Sequence, residues 1–198
     1  MARVPRVDRQ LWLIAGVMAG LVLCGPAARA GQVRLLDLEN RPVDPLHPAP
    51  ETKATVLLFV TTDCPISNRY APEVVRLFKS FASKGVSFWL IYPNPAETPQ
   101  AIRDHLVSFG YPIQALRDPA HALAQLVHAT VTPEAVVVAG GRIVYRGRID
   151  DRYVELGVQR PAPSRRDLED ALAAVLAGKP VQFPTTQAVG CVIADFLR

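Results

Sequence analysis

The stretch 54–73, ATVLLFVTTDCPISNRYAPE, decides the fold of this chain. It opens with a continuous apolar run, Ala54 to Thr61, whose β-branched and aromatic side chains are typical of a strand buried on both faces. From Ser67 to Ala82 the apolar residues recur at helical spacing, which predicts a helix packed against that strand. Cys64 therefore lies between a buried strand and the start of a helix.

A cysteine at the start of a helix is well placed for redox chemistry. The unpaired N–H groups and partial positive charge of a helix N-terminus favour the thiolate over the thiol. The pKa of a free cysteine, about 8.5, falls by one or more units in such a place. Position alone leaves a second interpretation open, in which Cys64 is a buried, unreactive cysteine at a strand end.

The remaining pattern predicts an α/β domain with a central sheet and helices on both faces. We expect Leu126 to face inward, Ser164 to form a capping box with Asp167, and His105 and His121 to face solvent. The pair Asp150-Asp151 is expected in a solvated turn. The predicted segments are strands at Val86–Tyr92 and Ile113–Leu116, helices beginning near Thr98, Asp118 and Ser164, and a hairpin over Ala135–Tyr145 that turns at Gly140-Gly141.

The first thirty residues have the pattern of a secretory signal peptide. Three arginines precede an apolar stretch, Leu11 to Leu23, which is short for a membrane span, and Ala28-Arg29-Ala30 is a small-x-small cleavage site. We therefore predict a signal peptide over 1–30 and a periplasmic or secreted protein. Lipidation at Cys24 and an uncleaved N-terminal anchor are the less favoured alternatives, because Leu23 stands where a lipoprotein signal needs a small residue.

Composition and charge exclude two broad classes of function. The chain is 49% apolar and 20% charged, which excludes wholesale disorder. The formal charge of +4 suggests a nucleic-acid partner, but removal of residues 1–30 takes away four basic residues and one acidic residue. The remaining charge of about +1 argues against nucleic-acid binding. The mature chain keeps two cysteines, Cys64 and Cys191, which can form a disulfide in an oxidising compartment.

The segment Phe59–Glu73 resembles the active-site region of the thioredoxin superfamily. Cys64-Pro65-Ile66-Ser67 resembles its C-x-x-C motif with serine in the second cysteine position, and Pro72 matches its helix-kinking proline. Thr132-Pro133 resembles its threonine–cis-proline turn. The resemblance covers about residues 33–178, is nearest to a bacterial peroxiredoxin-like redoxin subgroup, and implies a thioredoxin fold with a central mixed sheet.

The resemblance implies a role for each candidate site residue. Cys64 is the redox nucleophile, Ser67 donates a hydrogen bond to its thiolate, and Pro133 is the platform that aligns an incoming disulfide or peptide. Thr61 matches the threonine of the peroxiredoxin motif. Cys191, in the tail after the last predicted helix, is the candidate resolving cysteine, since a tethered thiol can attack a sulfur intermediate formed at Cys64.

Two departures from the family pattern limit these roles. Ser67 excludes a dithiol cycle within the C-x-x-C motif, and Leu57 stands where the peroxiredoxin motif has proline. The activating arginine of peroxiredoxins is not assigned by spacing. Arg146 and Arg148 are its candidates, although surface ion pairs are the more common role for such residues.

Two other functions remain as alternatives. The first is a copper-binding or copper-delivery module, because thiolate and imidazole ligands suit Cu(I). Copper chaperones of this fold use a C-x-x-x-C pattern, and Asn68 occupies its second cysteine position in this chain. The second is a redox-silent partner-binding domain held together by a static Cys64–Cys191 disulfide.

The sequence predicts three segments: a signal peptide (1–30), a redoxin domain (31–180) and a tail (181–198) that carries Cys191. The expected reaction is thiol–disulfide exchange or thiol oxidation, with an antioxidant role as one possibility, no organic cofactor and no metal. The expected partner is a thiol- or disulfide-bearing protein, or a small thiol or peroxide. We expect no nucleic-acid partner and no membrane insertion after cleavage.

Overall fold

A computed structural model describes Met1 and residues 33–193. Residues 33–193 belong to the compact unit Gln32–Arg198. The predicted signal peptide lies outside the described residues. Within the described part of the chain, no helix is both long and apolar enough to cross a membrane.

A mixed sheet of seven strands forms the centre of the described domain. Its strands are β1 (Leu35–Leu36), β2 (Pro42–Val43), β3 (Ala54–Phe59), β4 (Val86–Tyr92), β5 (Gln114–Arg117), β7 (Glu134–Ala139) and β8 (Arg142–Gly147). They lie in the order β2-β1-β5-β4-β3-β7-β8. The central strand β3 is parallel to β4 and antiparallel to β7, so the strand that leads to Cys64 is paired on both sides.

Two small sheets and four helices complete the domain. One small sheet pairs β6 (Val131–Thr132) with β11 (Cys191–Val192), and the other pairs β9 (Tyr153–Glu155) with β10 (Val158–Gln159). The helices are α1 (Pro65–Phe81), α2 (Pro99–Ser108), α3 (Ala122–Val127) and α4 (Asp167–Leu176), and a short 3₁₀ helix (Ala82–Lys84) follows α1.

The alternation of side chains along β3 divides the core into two layers. Val56 and Leu58 point to the side covered by α1, α2 and α4, whereas Leu57 and Phe59 point to the side covered by α3. All six residues of β3 are buried, as expected for a central strand with a helix layer on each face. The predicted α/β class with a mixed central sheet is therefore confirmed.

Several local predictions are wrong. Leu126 is 51% exposed, because α3 has only six residues and its inward face is already filled by Leu123 and Val127. The capping box at Ser164 does not form: α4 begins at Asp167 after an Arg166 cap without a side-chain hydrogen bond.

Four polar residues predicted to be solvated are buried instead. The Nε2 atom of His105 donates to the side-chain oxygen of Asn68, and its Nδ1 atom forms a hydrogen bond with the Tyr92 hydroxyl. The Nε2 atom of His121 donates to the carbonyl oxygen of Pro93. Asp150 and Asp151 are also buried. These side chains can be buried because each has a specific hydrogen-bond partner, and periodicity does not reveal such partners.

Candidate active site

Cys64 caps the N-terminus of α1 directly after the central strand. Its side chain accepts a hydrogen bond from the backbone N–H of Ser67 at 3.5 Å, and Pro65 occupies the first helical position. The residue is 1% exposed, and its thiol lies 3.1 Å from the carbonyl oxygen of Thr132. The predicted position at a helix start is therefore found, but the sulfur is covered.

The cover over Cys64 is the tail strand that carries Cys191. Strand β11 pairs antiparallel with β6, with Cys191 opposite Thr132, and the Thr132–Pro133 peptide is cis, as the resemblance predicts. The thiol of Cys191 donates to the sulfur of Cys64 at 3.2 Å, and both cysteines are free. The tail thus places the two sulfurs in contact across 127 positions of sequence.

Close packing of the tail depends on the glycine before Cys191. A Cβ atom added at Gly190 would lie 2.0 Å from the carbonyl oxygen of Thr132. No side chain fits at that separation, so a glycine at this position permits the contact between the sulfurs. Two residues beyond Cys191, Ile193 is buried and donates its N–H to the carbonyl of Thr130 at 2.9 Å.

The pKa values of the two thiols shift in opposite directions. Burial raises the pKa of Cys64, but hydrogen bonds from Ser67 and from Cys191 outweigh it and lower the pKa below the usual value. Burial and the neighbouring Cys64 and Asp63 charges raise the pKa of Cys191 to about 12. Cys64 is therefore the more acidic thiol of the pair and Cys191 the less acidic one.

Three hydroxyl groups lie buried near the pair without a conventional hydrogen-bond partner among residues 33–193: those of Thr61, Ser67 and Thr132. Ser67 lowers the pKa of Cys64, and donation by its hydroxyl to the thiolate stays a prediction. Thr61 lies two residues beyond β3, and its catalytic role stays a prediction. Pro133 follows Thr132 at the point where the tail pairs.

A buried polar network, which sequence reasoning missed, holds the loop before Cys64. Glu97 accepts from the backbone N–H of Thr62 at 2.5 Å, and Asn68 donates to the Thr62 carbonyl at 2.9 Å. Asn68 in turn contacts His105, which contacts Tyr92, each at 2.8 Å. Burial raises the pKa of Glu97 to about 7. The only sequence signal for this network is a set of isolated polar residues next to apolar strands.

A second network joins the start of α4 to α1. The Tyr70 hydroxyl donates to Asp150 at 2.5 Å, and Asp151 accepts from the hydroxyl and N–H of Ser164. The pair Arg148–Asp167, at 2.7 Å, extends this network. These contacts explain why the Asp150-Asp151 segment is buried rather than solvated.

Neither candidate activating arginine contacts Cys64 in the described part of the chain. Arg148 pairs with Asp167, and Arg146 donates to the His128 carbonyl at 2.8 Å and lies 3.8 Å from Glu134. Both are thus engaged in the ion pairs and hydrogen bonds that are the common role for such residues.

Within residues 33–193, no three histidine, cysteine or acidic side chains are placed to share a metal ion. His47 pairs with Asp44, whereas His105 and His121 are held in the hydrogen bonds described above.

Comparison with known proteins places this geometry in a family. The profile of the AhpC/TSA family matches residues 27–146. The chain belongs to the AhpC/TSA family. It is accordingly a redoxin of the thioredoxin superfamily, and its fold is one that carries thiol redox chemistry. No curated protein matches the chain.

Solved structures agree with the fold. An uncharacterized conserved protein from Geobacillus kaustophilus is 28% identical with a TM-score of 0.70, covering 83% of this chain and 88% of its own. A hypothetical protein from Sinorhizobium meliloti is 24% identical with a TM-score of 0.69 and covers 83% and 91%. A thioredoxin-like protein from Aeropyrum pernix is 14% identical with a TM-score of 0.53 and covers 74% and 89%; it supports the fold alone.

Proposed function

We propose that this redoxin is an exported thiol–disulfide oxidoreductase in which Cys64 is the nucleophile and Cys191 the resolving cysteine. The observation that carries the proposal is the 3.2 Å contact between the two sulfurs. The pattern of residues 1–30 supports export, and an oxidising compartment would supply disulfide oxidants.

The proposed reaction proceeds in two displacements. The thiolate of Cys64 attacks one sulfur of an oxidant disulfide, whose S–S bond breaks and releases one thiolate. Cys191 then loses its proton and attacks the Cys64 sulfur, which releases the second thiolate and leaves a Cys64–Cys191 disulfide. The oxidant gains two electrons, and the two protein thiols lose them.

The local structure supports each displacement. The Ser67 N–H stabilises the attacking thiolate of Cys64. Cys191 is tethered beside Cys64, so the second step occurs at high effective concentration. Because Cys64 is almost fully covered, the first step requires β11 to separate from β6. A pairing of two residues on each strand is small enough to open locally.

The site favours disulfide exchange over the other candidate reactions. Peroxide reduction in this family uses an arginine beside the cysteine, and Arg146 and Arg148 are held elsewhere. The copper alternative combines the two thiolates with an imidazole, and within residues 33–193 no histidine joins the two sulfurs. A static disulfide differs from the proposed function in its reversibility, which the following experiment measures.

The test is a titration of the full chain, with Cys24→Ser to leave two cysteines, against oxidised and reduced glutathione. Peptide mapping after acid quenching should find an intramolecular Cys64–Cys191 disulfide that a dithiol reverses. The Cys191→Ser variant should instead accumulate glutathione on Cys64. Separate glutathione adducts on both cysteines at equilibrium would show that the proposed function is wrong. A disulfide that native dithiol treatment fails to reduce would indicate a structural staple.

A further inference from the structure

A groove of about 270 Å³ lies beside the sulfur of Cys191. We call it the Cys191 groove; its walls include Ile66 at the start of α1, Tyr153 and Leu156 of the β9–β10 hairpin, Arg69 and Cys191 itself. Most of these walls are apolar. The volume suits the side chains of a short peptide segment rather than a large organic cofactor.

The groove leads to Cys191 and not to Cys64. Cys191 is partly exposed and forms part of the groove wall, whereas Cys64 is 1% exposed and does not. A molecule seated in the groove therefore meets the sulfur of Cys191 first. In the oxidised protein this sulfur would be one half of the disulfide.

The hairpin at the edge of the groove exposes apolar side chains that the core does not use. Leu156 is 68% exposed, and Val154 and Val158 are exposed on the two strands beside it. Among residues 33–193, strands β9 and β10 pair only with each other, and neither core layer includes these three residues. Exposed apolar groups gathered beside a reactive sulfur are typical of a binding surface.

Arg69 is the one charged residue in the wall of the groove. It is exposed and forms none of the ion pairs found within residues 33–193. Its charge is complementary to a carboxylate on a ligand that also has an apolar group for Ile66 and Leu156.

We propose that the Cys191 groove is the recognition site for a polypeptide substrate that carries a cysteine with a bulky apolar neighbour and an acidic residue nearby. This inference rests on the proposed function, since it concerns the protein that receives the disulfide. The apolar neighbour packs against Ile66 and Leu156, and the carboxylate pairs with Arg69. The substrate cysteine then lies against Cys191.

The transfer of the disulfide starts at Cys191. The substrate thiolate attacks the Cys191 sulfur, the Cys64–Cys191 bond breaks, and its electron pair goes to Cys64. A second thiolate of the substrate then attacks the substrate sulfur of this mixed disulfide, and Cys191 departs and takes up a proton. The substrate dithiol becomes a disulfide, and the protein disulfide becomes two thiols.

The environment of Cys64 makes it the better leaving group in this step. The N–H of Ser67 donates to its sulfur, and the net shift of the Cys64 pKa is downward. A thiol of lower pKa leaves faster in thiol–disulfide exchange. Attack at Cys191 is therefore favoured for two reasons: its sulfur is the more exposed of the two, and Cys64 is the better leaving group.

The test uses oxidised full-length protein (Cys24→Ser) and single-cysteine peptides that differ only at the neighbouring residue, leucine or serine. We expect the leucine peptide to react about fivefold to tenfold faster, which is what partial burial of one leucine side chain supports. At the earliest times, acid quenching and peptic mapping should find the peptide on Cys191.

Two serine substitutions test whether the preference for the leucine peptide arises in the Cys191 groove. Leu156→Ser alters an exposed side chain, so the fold is retained and most of the leucine preference should be lost. Val107→Ser is the control, because Val107 is 83% exposed on α2 and is not part of the groove, and it should keep the preference. An adduct found first on Cys64, or an unchanged preference in Leu156→Ser, would overturn the inference while leaving the proposed function intact. Failure of the Cys64–Cys191 disulfide to form would overturn both.

Discussion

Replacement of Gly190 by alanine should uncover Cys64 without disturbing the core. The added Cβ would lie 2.0 Å from the carbonyl oxygen of Thr132, whereas ordinary van der Waals contact begins at 3.4 Å. The tail strand must therefore move outward by more than about 1 Å, and the 3.2 Å contact between the sulfurs opens with it.

The size of the effect follows from the cost of this overlap. Inserting a methyl group into a tightly packed contact costs roughly 1–3 kcal/mol. Every 1.4 kcal/mol changes an equilibrium about tenfold, so the open state of the tail should become about 5-fold to 150-fold more populated. Burial of Ile193 and its hydrogen bond to Thr130 oppose complete release of the strand.

The assay is the alkylation rate of Cys64 in reduced protein at neutral pH, followed by peptide mass. Gly190→Ala should react faster than the parent by the factor given above, and the same cost should lower its midpoint of thermal unfolding by roughly 2–12 °C. Gln187→Ala is the matched control, because it alters an exposed tail residue outside the contact. Equal alkylation rates for Gly190→Ala and the parent would refute the reasoning, since another element would then be the cover of Cys64.

Two further predictions concern titration. In a Cys24→Ser, Cys191→Ser background, the pH dependence of Cys64 alkylation should give a pKa below the free value of about 8.5, because the Ser67 amide and hydroxyl remain. Ser67→Ala should raise the pKa of Cys64. A pKa at or above about 8.5 in the background protein would make Cys64 a structural cysteine. Burial raises the pKa of Glu97 to about 7 from a usual 4.5, so folding is destabilised progressively as pH rises through that window. Glu97→Gln should therefore gain stability over the parent from pH 4.5 to 7, by up to about 3 kcal/mol in urea unfolding. Parallel stability profiles for the two proteins would contradict this.

The elements around Cys64 were largely predictable because their signals are local. The apolar run in β3, the helical stripe of α1 and the Thr98-Pro99 start of α2 each lie within one element. The boundaries differ by a few residues: the run to Thr61 is predicted as strand, but pairing ends at Phe59. A strand ends where its partners end, and the sequence of the strand does not contain that information.

The polar residues show where such reasoning fails. His105 is on a helix that looks amphipathic, yet it is buried because Asn68 and Tyr92 satisfy both ring nitrogens. Asp150 is buried because Tyr70, 80 positions away, donates to it. Hydrophobicity patterns predict that these residues are exposed, because such patterns contain no information about a hydrogen-bond partner elsewhere in the chain.

By itself, the sequence determined the α/β class and the place of Cys64 between a buried strand and a helix. Periodicity, caps and turns act over a few residues, and they specify these features without tertiary contacts. Only the tertiary structure decided that Cys191 reaches Cys64, because that contact spans 127 positions and depends on the fit of Gly190 against Thr132. The burial of Cys64 and the groove beside Cys191 also arise from packing between segments that are distant in sequence. The local sequence of each segment does not specify which other segment it contacts.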